Sequence, residues 1–234
     1  QLSRFDACLA DVAAAGHRPA MVHAANSAGT IAHPDARRDL VRCGLALYGE
    51  VPIPDHHRMV ADATGGGRLQ PALSLKARVT YLRELGEGER PSYGRRRPLP
   101  QRSVVATVPI GYADGVPRRL FEQGAEVLVG GVRRPLAGQV TMDQILIDCG
   151  PPGPAVPAIG DEVVLLGRQG DAEVSATEWA DRLGTISYEV LCGIGPRVPR
   201  VATNALAAGP ESGAPPSDTG PDRAAPTPAG GGRR

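Results

Sequence analysis

The 234-residue sequence has few aromatic side chains and no strong net charge. Aromatic residues make up only 3% of the chain, although 41% of its residues are hydrophobic. With 26 Lys and Arg against 25 Asp and Glu, the formal charge is +1. Such a chain has no broad electrostatic field to hold a polyanion or an anionic membrane, so a nucleic-acid role would need a local basic patch.

Long apolar runs and paired cysteine motifs are also missing. No run approaches the roughly 20 apolar residues of a membrane-spanning helix, and Gln1 opens a polar stretch without a signal-peptide core. The four cysteines, Cys8, Cys43, Cys149 and Cys192, have no C-x-x-C spacing, which argues against a zinc site and a disulfide framework. The sequence predicts a soluble, cytoplasmic protein with no metal site and no membrane partner.

The first 50 residues alternate between helix and strand patterns. Apolar side chains recur every three or four residues over positions 2–12 and stop near Gly16, which predicts an amphipathic helix. A short apolar run at 20–25 predicts a strand, and a second unit follows with polar residues 36–39 and apolar residues within 40–48. This alternation favours a parallel α/β arrangement, and two units are too few to close a sheet. We therefore expect the chain to begin partway through a domain.

The following region has the two-residue period of β-strands. From Leu73 to Tyr81, apolar and polar side chains alternate strictly, as in a strand buried on one face. Further β-rich runs lie at 103–110, 125–129, 139–148 and 162–166. They predict a small antiparallel barrel or sandwich. Within it, residues 175–178 form a capping box and Gly184 a stop, which together predict one helix.

The C-terminal residues have a different composition. Residues 203–234 contain no aromatic side chain and become rich in Gly and Pro from Gly209 onward. Such a segment cannot bury enough apolar surface to offset its chain entropy. We predict a disordered tail without an activity of its own.

Six short motifs occur in a fixed order between residues 23 and 200. They are residues 23–28 (HAANSA), 41–49 (VRCGLALYG), 92–94 (SYG), 108–115 (VPIGYADG), 142–144 (MDQ), and 187–192 (SYEVLC) with 197–200 (RVPR). In this order they resemble the alanine racemases, which are fold-type III pyridoxal-phosphate (PLP) enzymes. The resemblance implies the C-terminal units of a PLP-binding (β/α)8 barrel in residues 1–64. It implies a mainly antiparallel β domain in residues 70–202.

The resemblance also implies a function. The family interconverts L- and D-alanine, which in bacteria serves peptidoglycan precursors, with PLP as cofactor and a small amino acid as substrate. Family members carry the cofactor on a lysine near the N-terminus, and no segment of this chain matches it. The only lysine, Lys76, lies on the polar side of the strand predicted over residues 73–81. We therefore expect a truncated or fragmentary racemase with little or no activity by itself.

By the same resemblance, Tyr112 is the catalytic residue. Racemisation needs two acid/base groups on opposite faces of the α-carbon, and the family uses a lysine and this tyrosine. A free phenol loses its proton only near about pH 10, so positive charge or hydrogen bonds must favour the phenolate. Without the companion motifs, Tyr112 would be interpreted as a turn residue.

Two residues match the family groups that face the PLP ring. Arg42 matches the arginine opposite the pyridine nitrogen, and since a guanidinium keeps its proton, that nitrogen would accept a hydrogen bond and stay unprotonated. His23 matches a histidine that orients this arginine. The alternatives are a solvated arginine at a strand end and a core histidine.

Four further residues match positions around the PLP phosphate. They are Ser27, Gly44, Leu45 and Tyr188, of which Leu45 would contribute only its amide. A hydroxyl and backbone amides in a glycine-containing loop suit an anion. The alternative for Ser27 is an ordinary helix cap.

Met142 and Asp143 match the family's substrate-side loop. A backbone amide there would bind the substrate carboxylate, while Asp143 would brace its neighbours; the alternative is a simple turn. In the family, the residues matching Tyr112 and Met142 enter the partner subunit's active site. The resemblance therefore implies a homodimer.

Two departures from the family pattern and one basic run remain. Cys43 stands where proline is common, and Thr141 where cysteine or serine is frequent. Arg95–Arg97 has no interleaved aromatic residues and is interpreted as a solvated loop, not a nucleic-acid patch. Alternative functions are a serine or broad-specificity racemase of the same family and a non-catalytic dimerisation module.

Overall fold

The computed structural model describes residues 1–51, 59–62 and 65–203. A compact unit extends from Gln1 to Val198, and Pro199 begins a second unit. Residues 204–234, which hold nearly all of the predicted disordered tail, lie outside the described part of the chain.

The N-terminal part contains helices and a parallel strand pair. Helix α1 covers Leu2–Ala14, β1 His23–Asn26, α2 Ser27–Ala32 and β2 Leu40–Arg42. The predicted first helix and the parallel arrangement are confirmed, since β1 pairs with β2 in parallel. Helix α2 begins directly after β1 because the Asn26 side chain caps it by accepting a hydrogen bond from the Gly29 amide.

The expected continuation of the second strand beyond residue 43 is wrong. Leu45–Tyr48 forms a 3-10 turn that ends at Gly49, whose φ of 79° is left-handed. The Ser27 hydroxyl oxygen accepts hydrogen bonds from the Gly44 and Ala46 amides. The Leu47 amide donates to the Gly44 carbonyl, so the amides of Gly44, Ala46 and Leu47 are used within this turn and at Ser27 and not in a strand pair.

The second region contains two antiparallel sheets. Its strands are β3 Leu75–Arg78, β4 Tyr81–Leu85, β5 Ser103–Val108, β6 Glu126–Val129, β7 Val132–Pro135, β8 Ile145–Asp148, β9 Glu162–Gln169 and β10 Ala172–Val174. Strands β3, β6, β7, β9 and β10 form one sheet, and β4, β5 and β8 form the other. The strand pairs of both sheets are antiparallel, which confirms the predicted fold class.

One hydrophobic core joins the two sheets and the helices behind them. Leu128 and Val164 from the first sheet and Ile145 and Ile147 from the second are fully buried, as is Trp179. Each such aliphatic side chain contributes about 1.5–3 kcal/mol through burial. This core supports the loops described below.

Two predicted strands are shorter than expected. In the run at 73–81, Leu75 and Val79 are buried and Leu73 and Ala77 are half-buried, but Tyr81 is exposed, so the prediction of one buried face fails at its last residue. Strand β3 ends at Arg78, and β4 begins only at Tyr81. The Val79 amide bonds to Asp161 and the Thr80 amide to Thr107, so the backbone passes from one sheet to the other. In the run at 139–148, only β8 is a strand. Residues 139–144 form a loop.

The helix predicted from the capping box is confirmed. Helix α3 covers Ala176–Leu183; the Ser175 hydroxyl accepts a hydrogen bond from the Glu178 amide, and Gly184 ends the helix in a left-handed conformation. A further helix, α4, covers Ser187–Gly193 and was not predicted. None of the described helices has the length and apolar character needed to cross a membrane.

Candidate functional site

Strands β1 and β2 bring His23 and Arg42 together. Arg42 Nη1 lies 2.7 Å from His23 Nδ1. A guanidinium can only donate, so Nδ1 accepts, and the hydrogen of a neutral imidazole is then on Nε2. The histidine fixes one edge of the guanidinium, and both side chains line an open cavity of about 830 Å³.

Ser27 connects helix α2 to the turn that follows β2. Its side chain is only 3% exposed, and its Oγ accepts from the amides of Gly44 at 3.1 Å and Ala46 at 3.2 Å. Since a hydroxyl has two lone pairs and one hydrogen, that hydrogen stays available for another acceptor. The Leu45 amide lies between the two amides that Ser27 holds, and among the described residues it has no hydrogen-bond acceptor.

The fourth predicted phosphate ligand lies on a different element. Tyr188 is on helix α4 and is 38% exposed. Within the described ranges, no hydrogen bond joins its hydroxyl to Ser27, Gly44 or Leu45. The structure therefore groups three of the four predicted phosphate residues and leaves Tyr188 apart from their hydrogen-bond network.

Tyr112 and Met142 lie on two loops that are joined by backbone hydrogen bonds. We call residues 111–115 the Tyr112 loop and residues 141–144 the Met142 loop. The Tyr112 amide donates to the Thr141 carbonyl at 3.0 Å, and the Ala113 amide donates to the Met142 carbonyl at 3.1 Å. The residues Tyr112 and Met142 are 44% and 52% exposed. The backbone is fixed while both side chains face outward.

Glycine is required at the contact between the two loops. A Cβ on Gly111 would lie 2.3 Å from the Thr141 carbonyl oxygen and 2.4 Å from that of Met142. The Met142 loop is closed by Thr141, whose amide donates to the Gln144 carbonyl and whose hydroxyl accepts from the Gln144 amide. This closure explains why the segment before β8 is not a strand.

Asp114 and Arg197 were not among the predicted site residues. The Asp114 carboxylate is buried; its Oδ2 accepts from the Gly111 amide at 2.9 Å and its Oδ1 lies 3.2 Å from Arg197 Nε. Arg197 Nη2 also lies 2.7 Å from Asp143 Oδ1. The hydrogen bond to Asp143, and then the charge of Asp114, raise the pKa of Arg197. Arg197 lies in the 197–200 motif, but this motif does not indicate that its side chain pairs with Asp114 and Asp143.

Lys76 does not join either group of residues. On strand β3 its Nζ lies 3.1 Å and 3.2 Å from the two carboxylate oxygens of Glu162 on β9. The two side chains form an exposed cross-strand salt bridge. No cluster of three or more metal-ligating side chains occurs in the described part of the chain.

Comparison with family models agrees with the observed geometry. The model described as "Alanine racemase, N-terminal domain" matches residues 1–52, and that described as "Alanine racemase, C-terminal domain" matches residues 72–202. The matches include both the strand pair with Arg42 and the loops with Tyr112 and Met142.

Individual proteins show the same similarity. The chain is 48% identical over 200 residues to an alanine racemase of Symbiobacterium thermophilum, covering 86% of this chain and 50% of that protein. Among solved structures, the alanine racemase of Streptomyces lavendulae matches with a TM-score of 0.76 and 38% identity, covering 88% of this chain and 51% of that chain. That of Bacillus anthracis, with bound L-Ala-P, matches with a TM-score of 0.74 and 40% identity, covering 84% and 48%.

The chain spans about half the length of the curated relatives it matches. Within that half, the matched ranges, the parallel strand pair and the antiparallel β region all agree with one family. The chain therefore belongs to the alanine racemase family.

Proposed function

We propose that this chain forms the C-terminal part of a PLP-dependent alanine racemase, with Tyr112 as one of its two acid/base groups. The observation that supports this most directly is the outward phenol of Tyr112 beside Met142, on loops whose backbones are tied together. A proton-transfer group must be both exposed to its substrate and fixed in position.

The residues near β1 and β2 fit PLP. The available hydrogen of the Ser27 hydroxyl and the Leu45 amide are donors suited to the phosphate, and Gly44 fixes Ser27 through its own amide. Arg42, oriented by His23, would donate to the pyridine nitrogen. When bound, PLP supplies an electron-accepting ring that makes the α-hydrogen of the amino acid acidic. Tyr188 is proposed as a further phosphate ligand, supported by the family motif alone.

Tyr112 would take or return a proton at one face of the α-carbon. The Met142 loop lies beside it and offers backbone amides to the substrate carboxylate, while the Asp143 carboxylate is held by Arg197. The second acid/base group and the cofactor's anchor would be the family lysine. Lys76 is an unsuitable replacement because it is paired with Glu162 within the sheet.

The assembly we propose is a homodimer with shared active sites. Tyr112 and Met142 are each about half exposed, as expected of residues that complete a partner's site. Residues 1–64 would belong to the barrel, residues 70–202 to the β domain and residues 203–234 to a disordered tail. A cytoplasmic enzyme that supplies D-alanine for peptidoglycan precursors fits this assignment.

The test requires a protein that contains the family lysine. The chain would be fused behind the N-terminal half of the Symbiobacterium thermophilum relative, to give what we call the joined racemase. Formation of D-alanine from L-alanine with PLP would be followed by a D-amino-acid oxidase assay. The unmodified joined racemase is expected to be active, whereas the 234-residue chain alone should show no turnover above the PLP background. An inactive joined racemase that folds and binds PLP would contradict the proposal.

Tyr112→Phe is the decisive variant, and Tyr81→Phe is its matched control. Loss of an acid/base group lowers kcat by about 10²–10⁴-fold, and PLP affinity should not change. Tyr81 is also exposed, on β4, and its variant should keep turnover within about twofold. If Tyr112→Phe weakened PLP binding as strongly as turnover, Tyr112 would be structural.

A further inference from the structure

We propose that Arg197 is a positioning residue that keeps the Tyr112 loop and the Met142 loop in a fixed relative orientation. The inference rests on the proposed function, since it assigns a role to Arg197 through Tyr112. It follows from the contacts of the Arg197 guanidinium with both loops. These contacts join three segments that are distant in the sequence, namely the two loops and the segment that carries Arg197.

Arg197 contacts the two loops with different nitrogens. Its Nε lies 3.2 Å from Asp114 Oδ1, and its Nη2 lies 2.7 Å from Asp143 Oδ1. Asp114 belongs to the Tyr112 loop and Asp143 to the Met142 loop. A planar guanidinium can serve two carboxylates at a fixed angle, whereas a lysine ammonium is a single point charge.

Asp114 links Arg197 to Gly111, the first residue of the Tyr112 loop. Its side chain is 12% exposed, and its other oxygen accepts the hydrogen bond from the Gly111 amide at 2.9 Å. Without the guanidinium, a nearly buried carboxylate would keep only this backbone donor. Such a group is costly, so the loop would rearrange to hydrate it.

The segment that carries Arg197 packs closely against the same loop. A Cβ on Gly115 would lie 2.5 Å from the Gly193 carbonyl oxygen, and Gly115 has a left-handed φ of 105°. The Gly195 amide donates to the Asp114 carbonyl at 3.4 Å. The end of helix α4 is therefore a firm base from which Arg197 reaches both aspartates.

The consequence for catalysis is geometric. The Tyr112 phenol is outward, so its position depends on the backbone beneath it. Asp114 is two residues after Tyr112, and Asp143 directly follows Met142. A displacement of about 1 Å between reacting groups can cost about 100-fold in rate. Arg197 limits this displacement without touching the substrate.

The first test uses the 234-residue chain and needs no activity. Amide hydrogen exchange of Tyr112 and Ala113 would be measured by NMR in the wild type, Arg197→Met, Arg197→Lys and Arg102→Met. Arg102 is an exposed arginine paired with Glu84 and serves as the control. We expect exchange to become at least about tenfold faster in Arg197→Met, less so in Arg197→Lys, and to stay unchanged in Arg102→Met.

Exchange in Arg197→Met within twofold of the wild type would overturn the inference. If Arg197→Met does not fold, Asp143→Asn is used instead. Asp143→Asn weakens only the more exposed contact, between Arg197 and Asp143, and keeps the contact between Arg197 and Asp114. Faster exchange at Ala113 in Asp143→Asn supports the inference, and unchanged exchange there overturns it.

The second test measures chemistry in the joined racemase. Arg197→Met should lower kcat by about 10–100-fold. The kcat/KM values for L- and D-alanine must fall together, since the equilibrium constant is fixed. Because each face of the α-carbon has its own acid/base group, the α-deuterium isotope effect should rise for only one enantiomer. Equal changes for both enantiomers would indicate a merely structural role for Arg197. An inactive unmodified protein would instead contradict the proposed function.

Discussion

Replacement of Gly111 by alanine tests the contact between the two loops. The new methyl group would lie 2.3 Å from the Thr141 carbonyl oxygen and 2.4 Å from that of Met142, where an ordinary contact is 3.4–4 Å. The loops must therefore separate by about 1 Å, and both contacts are with backbone atoms, which cannot rotate away. Overpacking of this kind costs about 1–3 kcal/mol.

This cost can be measured by thermal unfolding of the 234-residue chain. A loss of 1 kcal/mol lowers Tm by about 2–4 °C for a domain of this size, so Gly111→Ala should lower Tm by about 2–12 °C. Gly153→Ala is the control, because a Cβ there meets no atom within 4 Å. Since the separation moves Tyr112 relative to Met142, kcat of the joined racemase should also fall by about 100-fold.

Two outcomes would refute the reasoning about Gly111. If the Tm of Gly111→Ala stayed within 1 °C or so of the Gly153→Ala value, the two loops would not be in tight contact. If Tm fell as expected but kcat were unchanged, the spacing of the loops would not control the position of the phenol.

Three further predictions concern other parts of the chain. Ser27→Ala removes a hydroxyl that holds two backbone amides and that we propose as a donor to the phosphate. The PLP affinity of the joined racemase, measured by titration calorimetry, should therefore fall at least about tenfold. An unchanged affinity would exclude Ser27 from the cofactor site. The hydrogen bond from Arg133 holds the pKa of Glu178 below its usual value of 4.5. The pair therefore stabilises the fold fully above pH 4.5, and this contribution is lost as the pH falls through the lowered pKa. Glu178→Gln should thus lower Tm by about 2–6 °C at pH 7 and by less at pH 3, and an equal loss at both would contradict the assignment. Burial raises the pKa of Cys149, so a thiol reagent should modify the exposed Cys8 and Cys192 first and Cys149 only on unfolding. Early modification of Cys149, detected by mass spectrometry, would show that this part of the core opens.

Local sequence signals predicted the elements whose hydrogen bonds are local. Helix α3 was predicted because Ser175 and Glu178 are three residues apart and Gly184 ends the last turn. The hairpin between β6 and β7 was missed, although Gly130 and Gly131 both have positive φ and mark a two-residue turn. The Gly130–Gly131 dipeptide is itself a sequence signal for such a turn.

Other features had no local signal. The break between β3 and β4 at Val79 and Thr80 depends on acceptors at Asp161 and Thr107, far along the chain. Helix α4 has no side-chain cap at its N-terminus. The acceptors of Val79 and Thr80 are chosen by tertiary packing, and helix α4 lacks the capping side chain that would have marked its start in the sequence.

The sequence by itself determined the α/β and β character of the two regions, the buried face of β3 and, through six ordered motifs, the family. It also identified Tyr112, Arg42 and Ser27 as candidates, since motif residues are recognised without coordinates. Only the tertiary structure decided that Arg197 joins the Tyr112 and Met142 loops. Hydrogen bonds and ion pairs between distant segments form only when packing brings the donors and acceptors together, and no periodicity in a single chain encodes that distance.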